Sequence, residues 1–140
     1  MKSKEKENLI FIRIYENEDI NEKIKLSCKK HKVKTAIIIS GIGQVKELTL
    51  GYFKQKGDYS PKYYKKAFEI LNLSGNIIKQ SDDYLLHLHI TLGDQNKNAI
   101  GGHFIKGKVS VTAEIALLKT NISLKRRLDK KTGLQALNLE

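Results

Sequence analysis

The stretch YLLHLHITLGDQNKNAIGGH, residues 84–103, carries the strongest structural signal in this 140-residue chain. Its centre is rich in turn-forming residues and its flanks favour β-strands, so it predicts a β-hairpin. Side chains two residues apart on a strand point to the same face, so His87 and His89 project together. If the reversal centres on Asn96, His103 lies opposite His89 on the neighbouring strand.

Three imidazoles on one face favour a divalent-metal site. Neutral imidazole binds zinc, iron, nickel and copper, and a site with three protein ligands leaves a position open for water or substrate. We therefore predict that His87, His89 and His103 bind a divalent metal, with zinc as the first candidate. The alternative is that the rings only hydrogen-bond their neighbours or titrate near neutrality. His31 ends a lysine-rich helix, where a cationic ring is favoured, and is predicted to be structural.

The bulk composition favours one folded domain. The chain is 40% hydrophobic and has a single proline, and its length suffices for a core. No uncharged apolar stretch reaches the ~18 residues of a membrane span, and residues 1–8 lack the apolar run of a signal peptide. Because Cys28 has no second cysteine to pair with, we expect a reducing, cytoplasmic environment. We expect residues 1–8 to be disordered and the domain to span residues 9–140.

The net charge of +11, from 26 Lys and Arg against 15 Asp and Glu, suits a polyanionic partner such as DNA. It is also the charge of many basic proteins that bind no nucleic acid. Lysine predominates over arginine, which favours non-specific phosphate contacts over base recognition. The densest basic stretch, Lys125-Arg126-Arg127, is the candidate contact. The tyrosines and lysines of residues 63–66 resemble a base-stacking surface, although sheet edges often carry the same residues.

The hydrophobic pattern predicts an α+β domain with a mostly antiparallel sheet and one or two helices. Asp19 and Glu22 resemble a capping box that begins an amphipathic helix ending near Lys30. We expect residues 67–78 to form a bent strand or a hairpin. The basic tail from residue 121 is expected to pack against the domain or to exchange between subunits. Separate strands are expected over residues 9–15, 36–40, 45–53, 84–92 and 109–118.

Two further features invite chemical interpretations. The Gly41-Ile42-Gly43 segment is not a dinucleotide fingerprint, because Lys46 occupies the third glycine position; it predicts a turn or a bulge between strands. Arg13 and Glu114 each interrupt an apolar strand, and buried charges are normally paired. They are predicted to pair with each other, within one chain or across a subunit boundary. Alternatively, Glu114 is a general acid or base beside a metal-bound water, with Arg13 as its partner.

The order of several segments resembles the plant and prokaryote conserved (PPC) domain, from Leu9 to the C-terminus. The segments that carry this resemblance are SGIGQVKELTLG at 40–51, EILNLSGNI at 69–77, HLHITLGD at 87–94, IGGHF at 100–104 and TAEI at 112–115.

The resemblance implies an α+β domain with an antiparallel sheet that assembles as a homotrimer and is associated with DNA. Plant members follow AT-hook segments, which need an Arg-Gly-Arg-Pro core, whereas here the only proline, Pro61, follows Ser60. The histidines at 87, 89 and 103 are similar to those of the stand-alone prokaryotic form. A DNA-associated or regulatory role with a three-histidine metal site is therefore the leading hypothesis. The alternative is a metal-dependent enzyme that acts on a small molecule through a metal-activated water.

Overall fold

One seven-stranded antiparallel sheet, one helix and a small hairpin account for most of residues 1–139, the part of the chain that the computed structural model describes. The sheet strands are β1 (Lys2–Lys6), β2 (Leu9–Tyr15), β3 (Thr35–Gly51), β4 (Lys62–Tyr64), β5 (Phe68–Gln80), β6 (Asp83–Gly93) and β7 (Ala99–Thr120). The helix is α1 (Ile20–Lys30), and the hairpin consists of β8 (Lys125–Leu128) and β9 (Gln135–Asn138). The domain is thus richer in strand than the predicted α+β class.

The sheet is closed in its central part. Its order is β1-β2-β7-β6-β5-β3-β4, and β7 also pairs with β3, so four long strands form a ring. Closure satisfies the edges of those strands and fixes how they lie relative to one another. Buried residues of these strands and of α1 form one hydrophobic core. Among residues 1–139, no helix has both the length and the apolar character needed to span a membrane.

The helix is as predicted. The side chain of Asp19 accepts a hydrogen bond from the backbone N–H of Glu22 at 3.0 Å, which satisfies a free donor of the first turn. Ile20, Ile24 and Cys28 are fully buried on one face. Burial raises the pKa of the Cys28 thiol to about 12, so this cysteine serves as a small core residue.

The N-terminus differs from the prediction. Residues 1–8 were expected to be disordered, whereas β1 pairs antiparallel with β2 along its whole length. Long-range contacts explain the difference. The His31 ring lies 3.0 Å from a carboxylate oxygen of Glu5 and 2.9 Å from the hydroxyl of Ser3. Lys119 on β7 also contacts Glu5, at 2.5 Å. His31 is therefore structural, as predicted, because its ring hydrogen-bonds β1 residues at the C-terminal end of α1.

Of the turn or bulge predicted at Gly41–Gly43, the structure has the bulge and not the turn, and β3 runs continuously through these residues. The strand contains bulges, one of them between Gly43 and Val45. Gly43 has a φ of +133°, and a Cβ built there would lie 2.1 Å from the carbonyl oxygen of Thr112 on β7. The glycine thus permits a close approach of two strands instead of a turn. Residues 68–80 likewise form one strand, β5, with a register shift after Ile70.

The described part of the C-terminal segment, residues 121–139, packs against the domain. Its two strands form a hairpin in which Arg126 is buried and donates to residues of the sheet. Of the tail leucines expected to pack, Leu124 and Leu134 are partly buried, whereas Leu128 is 60% exposed.

Candidate metal centre

The predicted hairpin forms with the predicted register. His89 on β6 is the Cα partner of His103 on β7. The connecting turn is held by Asp94, whose carboxylate accepts hydrogen bonds from the backbone N–H groups of Asn96 at 2.8 Å and Asn98 at 2.9 Å. These hydrogen bonds, with that of Asn98 foremost, lower the pKa of Asp94. A local turn therefore sets the pairing that brings the histidines together.

The three histidine rings form a nearly equilateral triangle. Their centroids lie 5.2 Å apart for His87 and His89, and 5.5 Å apart for both pairs with His103. One ring nitrogen from each histidine lies within 4.8 Å of the others. His87 and His89 are exposed and His103 is half-buried, so the cluster opens to solvent on one side. Small rotations of the side chains would bring the three nitrogens around a single ion.

Glycines allow other strands to pass close to the cluster. Gly75 on β5 has a φ of +148°, and a Cβ built there would lie 2.0 Å from the carbonyl oxygen of His87. Gly51 on β3 is the Cα partner of His103. A Cβ at Gly51 would lie 2.6 Å from the ring of Tyr59, so the absence of a side chain makes room for that ring.

Tyr59 is a neighbour of the site that the sequence analysis missed. Its ring centroid lies 5.0 Å from that of His103 and 5.9 Å from that of Phe53. Tyr59 belongs to the polar connection between β3 and β4, and no spacing rule links this connection to β7. The cue available in the sequence was Gly51, a glycine at the end of an apolar strand.

The electrostatic environment favours neutral imidazole at two of the three positions. Burial, followed by the charges of His87 and His89, lowers the pKa of His103 to about 4. Burial also lowers the pKa of His87, and the charges of Arg126 and His89 add to this effect. Neutral imidazole is the form that binds metals.

The residues present fit a metal ion. His103 Nδ1 is buried and has no hydrogen-bond partner among the described residues, which is unusual for a buried polar atom. Three imidazoles with one open side are a donor set typical of zinc. Within residues 1–139, no carboxylate or cysteine belongs to the group of possible ligands.

Arg126 does not lie on the surface, as a phosphate-contacting residue would. Its side chain is 9% exposed. Nη1 donates to the carbonyl oxygen of Gln135 at 2.7 Å, and Nη2 donates to the side-chain oxygen of Asn76 at 2.5 Å. Lys125 and Arg127, the neighbours of Arg126 on β8, are exposed. Side chains alternate along a strand, so only these two outer members of the predicted basic triplet face solvent.

Arg13 and Glu114 are Cα partners on β2 and β7, but neither is buried as the pattern predicted. The Arg13 guanidinium lies 5.3 Å from the ring centroid of Tyr15. Among the described residues, Arg13 and Glu114 form no ion pair within 4 Å. Glu114 follows His103 by eleven positions on β7 and is not part of the histidine cluster. The structure therefore does not bring the candidate acid or base to the metal site.

The aromatic and basic residues of 63–66 lie at the edge strand β4 and just beyond it. Tyr63 is 58% exposed. Lys66 lies over the ring of Phe68, at 4.9 Å from the centroid, and Lys62 lies over the ring of Tyr64 at 5.1 Å. These contacts are cation–π interactions within the domain and do not form a continuous stacking surface.

Comparison with solved structures shows close similarity over nearly the whole chain. A candidate DNA-binding protein from Bacteroides thetaiotaomicron is 28% identical, with a TM-score of 0.91 and coverage of 99% of this chain and 96% of that one. A plant- and prokaryote-conserved (PPC) protein from Pyrococcus horikoshii is also 28% identical, with a TM-score of 0.80 and the same coverage. A metal-containing protein from Archaeoglobus fulgidus is 27% identical, with a TM-score of 0.83 and coverage of 96% and 95%.

Sequence comparison places the chain in a family. The bifunctional protein GlmU of Synechococcus sp. (strain JA-2-3B'a(2-13)) is 26% identical over 131 residues, which are 92% of this chain and 20% of that protein. The chain thus spans about a fifth of the length of this curated relative. The sequence profile of the Plants and Prokaryotes Conserved (PCC) domain matches residues 1–121, from β1 to the end of β7. With its closed antiparallel sheet and the matched segments in order, the chain belongs to the Plants and Prokaryotes Conserved domain family.

Proposed function

We propose that this domain binds a divalent metal, zinc first, through His87, His89 and His103, and that it acts as a DNA-associated, regulatory protein. The observation that carries the metal assignment is the triangle of three ring nitrogens within 4.8 Å of one another. The low pKa of His103 and its unpartnered Nδ1 support it. The similar Archaeoglobus fulgidus protein is described as metal-containing, which agrees with the assignment.

Metal analysis of the purified protein tests this site. After exposure to zinc and removal of free metal, elemental analysis should find about one zinc ion per chain, because three ligands form one site. His89→Ala should lose most of this zinc, whereas His31→Gln removes a histidine outside the cluster and should retain it. No bound metal after reconstitution with zinc, iron and nickel, or equal loading of His89→Ala and the native protein, would end the proposal.

DNA is proposed as a partner because the domain has an exposed basic surface and because a similar solved structure is described as a candidate DNA-binding protein. Lys125 and Arg127 project outward from β8, and the Lys56 ammonium donates to the carbonyl oxygen of Lys130 at 2.9 Å. The loop that carries Lys56 therefore lies beside the hairpin and adds to its positive charge. Lys131, in the connection between β8 and β9, adds a further exposed charge. We define this basic surface as Lys56, Lys125, Arg127, Lys130 and Lys131. One similar solved structure, from Bacteroides thetaiotaomicron, is described as a candidate DNA-binding protein.

Salt titration tests the DNA contact. Binding through phosphates releases counterions, so affinity for duplex DNA should fall steeply as salt rises, with a logarithmic slope of about −0.9 per contact. Scrambling the DNA sequence should change the affinity little, because lysine-rich contacts do not read bases. A flat salt dependence, or no binding to duplex DNA in dilute buffer, would remove DNA from the proposal.

We also propose a cytoplasmic homotrimer whose subunits meet on an exposed apolar face of the sheet. The face contains Phe11, Ile37, Ile42 and Leu118, which are 59%, 44%, 50% and 39% exposed. They lie on the adjacent strands β2, β7 and β3, in registers that place Ile37 opposite Leu118. Contiguous exposed apolar surface of this kind is typical of a protein interface. Light scattering should then give three times the chain mass of 15.9 kDa.

A further inference from the structure

Arg126 is a buried cation without an anionic partner. Its side chain is 9% exposed, and its two hydrogen-bond acceptors, the Gln135 carbonyl and the Asn76 amide oxygen, are both uncharged. Its Nε is buried and has no partner among the described residues. No Asp or Glu within residues 1–139 forms an ion pair with the guanidinium. A buried charge left in this way is costly, so something outside the described contacts is expected to balance it.

Arg126 lies near the histidine cluster through its contact with Asn76. Its acceptor Asn76 on β5 is the Cα partner of His87 on β6. Side chains of directly opposed residues lie on the same face of a sheet, with Cβ atoms about 5 Å apart. The Asn76 side chain, which the guanidinium contacts, is therefore a neighbour of the His87 ring. The hairpin that supplies Arg126 lies beyond the residues matched by the family profile, which end at 121.

The positive charges of a bound metal ion and of Arg126 have no negative charge beside them among the possible metal ligands of the described residues. A divalent ion held by three neutral imidazoles, together with the guanidinium, carries three positive charges. The group of possible metal ligands among the described residues contains no carboxylate to offset them. An exogenous anion that enters from the exposed side of the cluster would balance these charges and offset the cost of burying the guanidinium.

We propose that Arg126 makes the metal centre a binding site for a small oxyanion, a carboxylate or a phosphate group, held between the metal ion and the guanidinium. This proposal rests on the proposed three-histidine metal site. A bound metal ion would supply one positively charged contact, and the guanidinium, which uses two of its five N–H donors on Gln135 and Asn76, would supply the other. Guanidinium donors match the geometry of both carboxylate and phosphate oxygens. Because Arg126 is buried, only a small or terminal anionic group reaches it.

Calorimetric titration of the zinc-loaded protein with inorganic phosphate and, separately, with acetate tests the proposal. The matched variants are Arg126→Gln and Lys79→Gln, which each remove one positive charge, the first buried on β8 and the second exposed on β5. At least one anion should bind the native protein. Loss of a charge-assisted hydrogen bond should weaken that binding about tenfold or more in Arg126→Gln. Lys79→Gln should bind the anion as the native protein does.

The zinc content of each sample separates two kinds of failure. If the native protein holds no zinc, both the metal site and this inference fall. If it holds zinc but binds neither phosphate nor acetate, or if Arg126→Gln binds the anion as tightly as Lys79→Gln, only the oxyanion site is refuted.

A second variant covers the case in which Arg126→Gln does not fold, which circular dichroism reveals. Arg126→Lys keeps the positive charge but removes Nε and the planar fork. It should weaken the binding about threefold or more, because it loses the paired donors but not the charge. Unchanged affinity in a folded Arg126→Lys variant would overturn the role given to the guanidinium.

Discussion

His89 and His103 are directly opposed on the antiparallel strands β6 and β7, and their ring centroids lie 5.5 Å apart. His87 lies two residues from His89 and shares its face of the sheet, so two neighbouring strands supply all three rings. Side chains alternate between faces, so a shift of one residue in the pairing would turn His103 away from the others. The candidate metal centre therefore depends on strand register, and several contacts maintain that register.

Gly75→Ala should disturb both folding and metal binding. A Cβ at Gly75 would lie 2.0 Å from the carbonyl oxygen of His87, and the φ of +148° disfavours any side chain. Strain and overpacking should lower the free energy of unfolding by about 2 kcal/mol or more, measured by urea denaturation, and should reduce the bound zinc. Gly93→Ala is the control, because its Cβ would meet Leu71 at an ordinary 3.4 Å. Equal stability of the two variants would contradict this account.

The stability of the metal-free protein should depend on pH through His103. Burial lowers its pKa from 6.5 to about 4, so between these values the unfolded chain binds more protons than the folded one. This contribution to stability is complete above about pH 6.5 and declines as the pH falls to about 4. Melting temperatures between pH 7 and 4.5 should therefore fall less steeply in His103→Asn than in the native protein. If the melting temperatures of the two proteins fall equally with pH, protonation of His103 does not cause the loss of stability.

Phe11→Asp should break the proposed trimer. It places a charge on the apolar face, where desolvation on association would be costly. Light scattering should show the mass of a single chain or a marked shift toward it. Tyr63→Asp is a matched control, since Tyr63 on β4 is 58% exposed, against 59% for Phe11, and lies outside this face. A trimer in both variants would place the interface elsewhere.

Arg13 and Glu114 lie in the same face and should pair across the subunit boundary. Arg13→Glu should weaken association, because it sets like charges against each other. Exchanging both residues, as Arg13→Glu with Glu114→Arg, should restore much of the trimer at low salt. If the double variant associates no better than the single variant, the two residues are not interface partners.

The basic surface should account for part of the salt dependence of DNA binding. Replacing both Lys125 and Arg127 with glutamine removes two exposed charges, so the logarithmic salt slope should become shallower by about 2. The measurement is fluorescence anisotropy with duplex DNA across a salt series. Lys2→Gln with Lys4→Gln removes two charges from β1 and serves as the control. An equal change of slope in both double variants would mean that DNA binding depends on the net charge of the protein and not on the basic surface.

The features predicted correctly from the sequence are those with local signals. The capped helix follows from Asp19 and from apolar residues at helical spacing. The hairpin and its register follow from turn residues around Asn96, which set the pairing of His89 with His103. Both depend on residues close together in the chain, so composition and spacing were sufficient.

The features predicted incorrectly depend on distant parts of the chain. The two strands expected on either side of Gly41–Gly43 form one continuous strand with a bulge, in which Gly43 leaves room for the Thr112 carbonyl on β7. Residues 1–8 are predicted to be disordered, but they contain strand β1, whose Glu5 forms ion pairs with His31 and Lys119. Charge within an apolar strand suggested burial for Glu114, whereas one face of that strand is exposed.

The sequence by itself determined the family, the capped helix and the alignment of three histidines on a hairpin, because turn chemistry and strand periodicity act over a few residues. Only the tertiary structure decided that Arg126 turns inward, toward the side chain of Asn76, and that the ring of Tyr59 contacts that of His103. These contacts join segments separated by tens of residues, and the contact of Tyr59 with His103 depends on the pairing of β3 with β7 that closes the sheet. Closure is a property of the whole chain, and no short stretch of sequence encodes it.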